Sequence, residues 1–115
     1  MDFACKNFKI EEIIRCSLNL TKGEYKILDF LIKTDKPKLS SQEISESLGL
    51  DLSTVQRCLK KLYEKEIINR SQINLSSGGY QFNYGINDKT KIKEMVISII
   101  QKWTDKFEEE IRNWK

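Results

Sequence analysis

Apolar residues recur three and four positions apart along most of this chain, the spacing of one face of a helix. Over residues 7–18, Phe8, Ile10, Ile13, Ile14 and Leu18 form such a face, and Asn7 stands where a cap is needed, so a short amphipathic helix is expected. Thr21-Lys-Gly-Glu24 has the reciprocal capping pattern of a helix start. The helix it opens is expected to run to about Lys33, with Tyr25, Ile27, Leu28, Leu31 and Ile32 apolar. A loop over 34–38 holds Pro37, which disfavours helix at the residue before it. Ser40 and Glu43 then repeat the capping pattern, Ile44 and Leu48 share a face, and Gly49 ends the helix. Leu50 plugs the turn, Asp51 recaps, and Leu52-Ser-Thr54 begins another helix reaching about Lys65.

That fourth helix divides into two sides. Val55, Cys58, Leu59 and Leu62 fall at i, i+3, i+4 and i+7 and share the inner face. Ser53, Gln56, Arg57, Lys60 and Lys61 fall opposite, with no acid before Glu64. Two helices joined by a tight turn, the second anchored on one face and offering hydroxyls, an amide and three cations on the other, suit the DNA major groove.

The spacing changes after residue 66. Ile67 to Leu75 reads as an extended stretch, Ser76-Ser-Gly-Gly79 as a turn, and Tyr80 to Ile86 alternates with period two like a half-buried strand. The pair predicts a hairpin, or wing, over 69–86. Asn87 and Asp88 then open a long final helix, about 40 Å in length at about 1.5 Å per residue. Its apolar positions include Ile92, Met95, Val96, Ile99, Ile100, Trp103, Phe107, Ile111 and Trp114. A small core cannot cover all of these, and an exposed stripe with two Trp and a Phe is costly. A second copy packing its own helix alongside is the simplest remedy. The expected dimer interface is Ile92, Val96, Ile99, Ile100, Trp103, Phe107, Ile111 and Trp114.

Length and composition narrow the picture. The 115 residues make one domain of ordinary globular composition, 39% hydrophobic and 32% charged. The expected fold is mainly α with a small β-hairpin. It comprises an N-terminal helix (7–18), a winged helix-turn-helix core (20–86) and a C-terminal dimerisation helix (87–115). No apolar run is long enough for a membrane span and no signal peptide is visible, so a cytoplasmic protein is expected.

The net charge is only +3. Residues 41–86 carry five cations and five acids, so a basic patch must come from placement rather than excess. There is no His, which removes the commonest general base and metal ligand, and no Gly-rich phosphate loop. No cofactor, metal or catalytic residue is expected, and an enzyme is not the reading. Cys5, Cys16 and Cys58 form no CxxC. Cys58 reads as a buried small hydrophobe, and Cys5 with Cys16 as inert thiols, with a redox or metal pair as the other reading.

Sequence-specific binding of double-stranded DNA by a homodimer follows as the expected function. Arg57 suits guanine and Gln56 adenine, while Lys60, Lys61 and Arg70 suit phosphate. Ser41 and Gln42, at the start of the preceding helix, and Ser53 and Thr54 join the DNA-facing set. Ser76 and Ser77 at the uncharged tip of the wing have only hydroxyls and backbone amides to offer a phosphate. The rival is a winged helix that binds a protein partner and no DNA, which the neutral charge of 41–86 permits.

The order of elements from Leu20 to Ile86 resembles the winged helix-turn-helix regulators of the MarR and TrmB-like type, especially small archaeal ones. Leu20-Thr-Lys-Gly-Glu-Tyr-Lys-Ile-Leu28, Leu39-Ser-Ser-Gln-Glu-Ile-Ser-Glu-Ser-Leu-Gly-Leu50, Ser53-Thr-Val-Gln-Arg-Cys-Leu-Lys-Lys-Leu62 and Glu64-Lys-Glu-Ile-Ile68 carry it. The resemblance implies that Ser53, Thr54, Gln56, Arg57, Lys60 and Lys61 face DNA and that the C-terminal helix dimerises. TrmB-like sugar regulators have a large effector domain after the wing, and only residues 87–115 follow here, so sugar sensing is not implied. The wing also lacks the basic tip of many relatives.

Overall fold

The computed structural model describes residues 2–3 and 6–115, with side chains from residue 8 onward. The elements in order are β1 (Asp2–Phe3), β2 (Lys6–Asn7), α1 (Ile10–Leu18), α2 (Lys22–Lys33), β3 (Leu39–Ser40), α3 (Ser41–Leu48), α4 (Leu52–Glu64), β4 (Ile68–Asn74), β5 (Tyr80–Ile86) and α5 (Lys89–Arg112). β1 and β2 pair antiparallel, and β3, β5 and β4 form an antiparallel sheet in that order.

The capping boxes form as the local pattern requires. Thr21 accepts from the Glu24 amide at 3.1 Å, and Glu24 Oε1 accepts from the Thr21 amide at 3.2 Å. Ser40 and Glu43 exchange the same two bonds at 3.2 and 3.1 Å. Gly49 takes the left-handed φ of 64° at the end of α3. The first helix begins later than its apolar pattern suggests. Lys9 is its N-cap, and Asn7, expected as the cap, belongs to β2.

The sheet has more than a hairpin. Leu39 pairs with Tyr84 and Ser40 with Asn83, so the chain entering α3 becomes a third strand. Two residues are too few to show a period, which is why this strand has no sequence signature. Ser40 therefore ends β3 and caps α3 at once. At the wing tip the Leu75 amide donates to the Gly79 carbonyl and the Gly78 amide to Leu75, both at 3.0 Å. Gly78 and Gly79 have φ of 97° and 79°, a turn that side-chain-bearing residues resist.

One core cluster joins all five helices to the base of the wing. Ile27, Leu28, Ile44, Val55, Leu59, Leu62 and Ile67 are wholly buried, with Leu18, Leu20, Leu31, Leu39, Cys58, Ile68, Ile92 and Val96 around them. Ile92 and Val96, expected at a dimer interface, are thus already buried in this chain's own core, where α5 packs on α1.

Gly85 marks a close approach that the sequence does not announce. A Cβ there would lie 2.4 Å from the Pro37 carbonyl oxygen. Gly85→Ala should force β5 away from the 34–38 loop and cost about 1–3 kcal/mol. Gly23→Ala, whose Cβ would meet Cys58 Sγ at an ordinary 3.5 Å, should be neutral or stabilising by up to about 1 kcal/mol. Urea unfolding of the two variants against wild type tests the contrast, and equal midpoints for all three would refute the crowding at Gly85.

Candidate nucleic-acid interface

α4 presents the surface of interest because its opposite face is buried. Val55, Leu59 and Leu62 are fully buried and Cys58 nearly so, against α2 and α3. Burial raises the Cys58 thiol above its ordinary pKa, with Glu24 adding to the shift, so it stays protonated and apolar. Ser53, Gln56, Arg57, Lys60 and Lys61 are all exposed, and Thr54 is half-buried. The structure thus puts the inner and outer faces of this helix where their spacing puts them.

The outer face has local order of its own. Asp51, the N-cap residue, accepts the Ser53 hydroxyl. That bond, the Thr54 and Ser53 amides and the charge of Arg57 hold the Asp51 carboxyl below the usual carboxylate range. Arg57 Nη2 donates to Thr54 Oγ1 at 3.3 Å, which steadies the guanidinium along the helix. Lys60 projects into solvent. Lys61 lies further round toward α2, beside a cleft also lined by Thr21, Glu24 and Lys65.

Three of the expected residues come together at a second place. Ser41 and Gln42 at the start of α3 and Gln56 on α4 face Tyr80, Phe82 and Tyr84 of β5 across a cleft of about 310 Å³. The cleft is lined by hydroxyls, amides, rings and Leu52, without a charged side chain. Ser76 and Ser77 stand apart from it at the exposed tip. Arg70, expected to hold phosphate, has its guanidinium carbon 4.2 Å from the ring centroids of both Tyr63 and Phe82. A larger cleft of about 450 Å³ lies between the end of α4, the base of the wing and the start of α5. Glu64 and Glu66 line it with Lys91, a poor setting for a polyanion.

Sequence reasoning missed the roles of Lys65 and the wing aromatics. Lys65 donates to the Leu18 and Asn19 carbonyls at 3.2 and 2.5 Å and lies 3.7 Å from Glu24. It caps the end of α1 from 46 residues away in sequence, tying the end of α4 to the α1–α2 turn. No local pattern reports such a bond. The aromatics did leave a signal, since Tyr80, Phe82 and Tyr84 alternate on one strand face.

Four other expectations concern absent chemistry or the helix end. Cys16 is exposed, and its suggested partner Cys5 lies outside the described residues. Among the described residues no helix is long and apolar enough to cross a membrane, and no group of three His, Cys, Asp or Glu is placed to hold a metal ion. The far half of α5 carries an exposed apolar stripe. Trp103 is 37% exposed, Phe107 66%, Ile111 68% and Trp114 80%.

A helix-turn-helix closed by a sheet and wing, with a half-exposed fourth helix, defines the winged helix-turn-helix class. Residues 9–107 match the DnaD N-terminal domain, and the chain belongs to that family. A solved Methanosarcina mazei Go1 protein described as a "possible transcriptional regulator" is 43% identical to it. It superposes with a TM-score of 0.92 over 100% of this chain and 96% of that one. The resemblance to MarR-type regulators holds at the level of fold. Staphylococcus aureus MarR superposes with a TM-score of 0.55 at 22% identity, covering 88% of this chain and 65% of that one. Staphylococcus aureus MepR, solved in complex with DNA, gives 0.57 at 19%, covering 86% and 73%. The Methanosarcina mazei protein is described as a regulator and not as an enzyme.

The Lys65 bridge is testable by itself. Lys65→Met should destabilise the protein by about 1–2 kcal/mol, because it removes charge-assisted bonds to the end of α1 and leaves buried Glu24 without its cation. Chemical denaturation measures it, and wild-type stability in the variant would show that water replaces the bridge at no cost.

Proposed function

We propose that this chain is a sequence-specific, DNA-binding transcriptional regulator that acts as a homodimer. The observation that carries the reading is the outer face of α4, where Ser53, Gln56, Arg57, Lys60 and Lys61 are exposed on a helix whose other face is locked in the core. Such a helix enters a major groove without rearranging. Arg57 reads guanine and Gln56 reads adenine; Lys60 and Lys61 hold phosphate. Ser41, Gln42, Ser53 and Thr54 extend the contact, and the wing from 69 to 86 lies near the backbone, with Ser76 and Ser77 at its tip. Structural neighbours described as a "possible transcriptional regulator" and as a DNA complex support the reading.

The exposed stripe on α5 supports the dimer. Trp103, Phe107, Ile111 and Trp114 stand beyond the body of the domain, with half-buried Ile99 and Ile100 leading into them. A second copy covers such a stripe and sets two recognition helices about one DNA turn apart. The rival reading, a partner-binding winged helix, draws on one observation: residues 41–86 carry no net charge.

Two experiments test these statements. Affinity for duplex DNA should fall about 10³-fold between about 50 and 200 mM salt if the dimer engages about six phosphates. Lys60→Ala should flatten that slope, and Arg57→Ala should cost about 1–3 kcal/mol on the cognate site but little on random duplex. Absence of wild-type binding at low salt would replace this reading with the partner-binding one. Sedimentation equilibrium should show a wild-type dimer and a Phe107→Glu monomer of unchanged helicity. A monomeric wild type would remove α5 from the interface.

A further inference from the structure

The wing is joined to α4 by a contact that neither element's apolar pattern calls for. Arg70 on β4 lays its guanidinium between two rings, 4.2 Å from the centroid of Tyr63 near the end of α4 and 4.2 Å from that of Phe82 on β5. Tyr80 extends the series, its ring 5.4 Å from Phe82 and inclined at 66°. Tyr63, Arg70 and Phe82 thus form a ring–cation–ring sandwich at the last turn of α4, and Tyr80 continues it edge-on toward the wing tip. Among the described residues no acid forms an ion pair with Arg70.

Burial holds the base of the wing but not its outer part. Ile68 is the only buried side chain of β4, and past it the strand is half-buried or exposed. A two-stranded hairpin without a packed face is marginal in water. Arg is suited to the task because its guanidinium is planar, weakly hydrated and able to stack on both faces, whereas the Lys ammonium is a compact, strongly hydrated point charge.

We infer that Arg70 is a positioning residue. Its cation–π clamp on Tyr63 and Phe82 sets the angle between the wing and the recognition helix. On the regulator reading, on which only this consequence rests, the clamp fixes the distance along DNA between the helix contact and the wing contact. The wing then needs no basic tip to find its place, since its position is set within the protein.

Amide hydrogen exchange of the free protein tests the clamp without DNA. Arg70→Ala should speed exchange over the outer hairpin about tenfold and leave the amides of α4 unchanged. Arg70→Lys, which keeps the charge and loses the plane, should loosen the wing nearly as much. Tyr63→Phe, which keeps the ring, should match wild type, and Tyr63→Leu should not. On duplex DNA, Arg70→Ala should lose the wing's footprint and retain that of the helix.

Wild-type exchange in Arg70→Ala would overturn the proposal. If affinity still fell, with a salt slope smaller by about one, Arg70 would be a phosphate contact only. Should Arg70→Ala fail to fold, unchanged exchange in both Arg70→Lys and Tyr63→Leu would overturn it equally. The predicted exchange pattern in a protein that binds no duplex would uphold the clamp and remove the regulator reading instead.

Discussion

Everything this surface can do depends on the burial of one face of α4. Val55, Cys58, Leu59 and Leu62 seat the helix against α2 and α3. Val55, Leu59 and Leu62 each contribute about 1.5–3 kcal/mol when fully removed from water, and with Cys58 they oppose any rotation of the helix about its axis. Because that face is committed, Gln56, Arg57 and Lys60 are displayed in one fixed array rather than sampled. The end of the helix is fixed as well, since Lys65 is held by the α1 carbonyls and Glu24.

The wing is tied to this helix at two levels. At its base, β3 adds two residues beside β5, and Ser40 passes directly from that strand into the cap of α3. A shift of the sheet therefore moves the start of the helix-turn-helix. Gly85 lets the Pro37 backbone lie against β5, which keeps the connection short. Further out, backbone pairing to Asn74 and Tyr80 continues, but apolar burial stops. There the rings of Tyr63 and Phe82 about Arg70 take over from the core.

α5 works in two regimes along one continuous helix. Its first turns bury Ile92 and Val96 and complete the core against α1. Its last turns leave that support, and the molecule is correspondingly long, 68 × 24 × 23 Å. An apolar stripe on the unsupported part contributes nothing to the monomer's stability, which is the observation behind the proposed second copy.

The sequence by itself determined the features that depend on neighbours within one turn. The capping boxes at Thr21 and Ser40, the Gly49 stop, the glycine turn of the wing and the inner face of α4 all follow from spacings of three, four or two residues. Those geometries are set by the backbone whatever the rest of the chain does. Tertiary structure decided what joins distant segments. The pairing of Leu39 and Ser40 with β5, the reach of Lys65 to the end of α1, the stacking of Arg70 on Tyr63 and the commitment of Ile92 and Val96 to the core needed the assembled fold. Each side chain involved has several partners it could satisfy, and only packing selects one. The same limit explains Arg70. Its charge on β4 suggests a phosphate contact from the sequence, whereas the two rings beside it come from α4 and β5, elements that spacing along β4 cannot bring together.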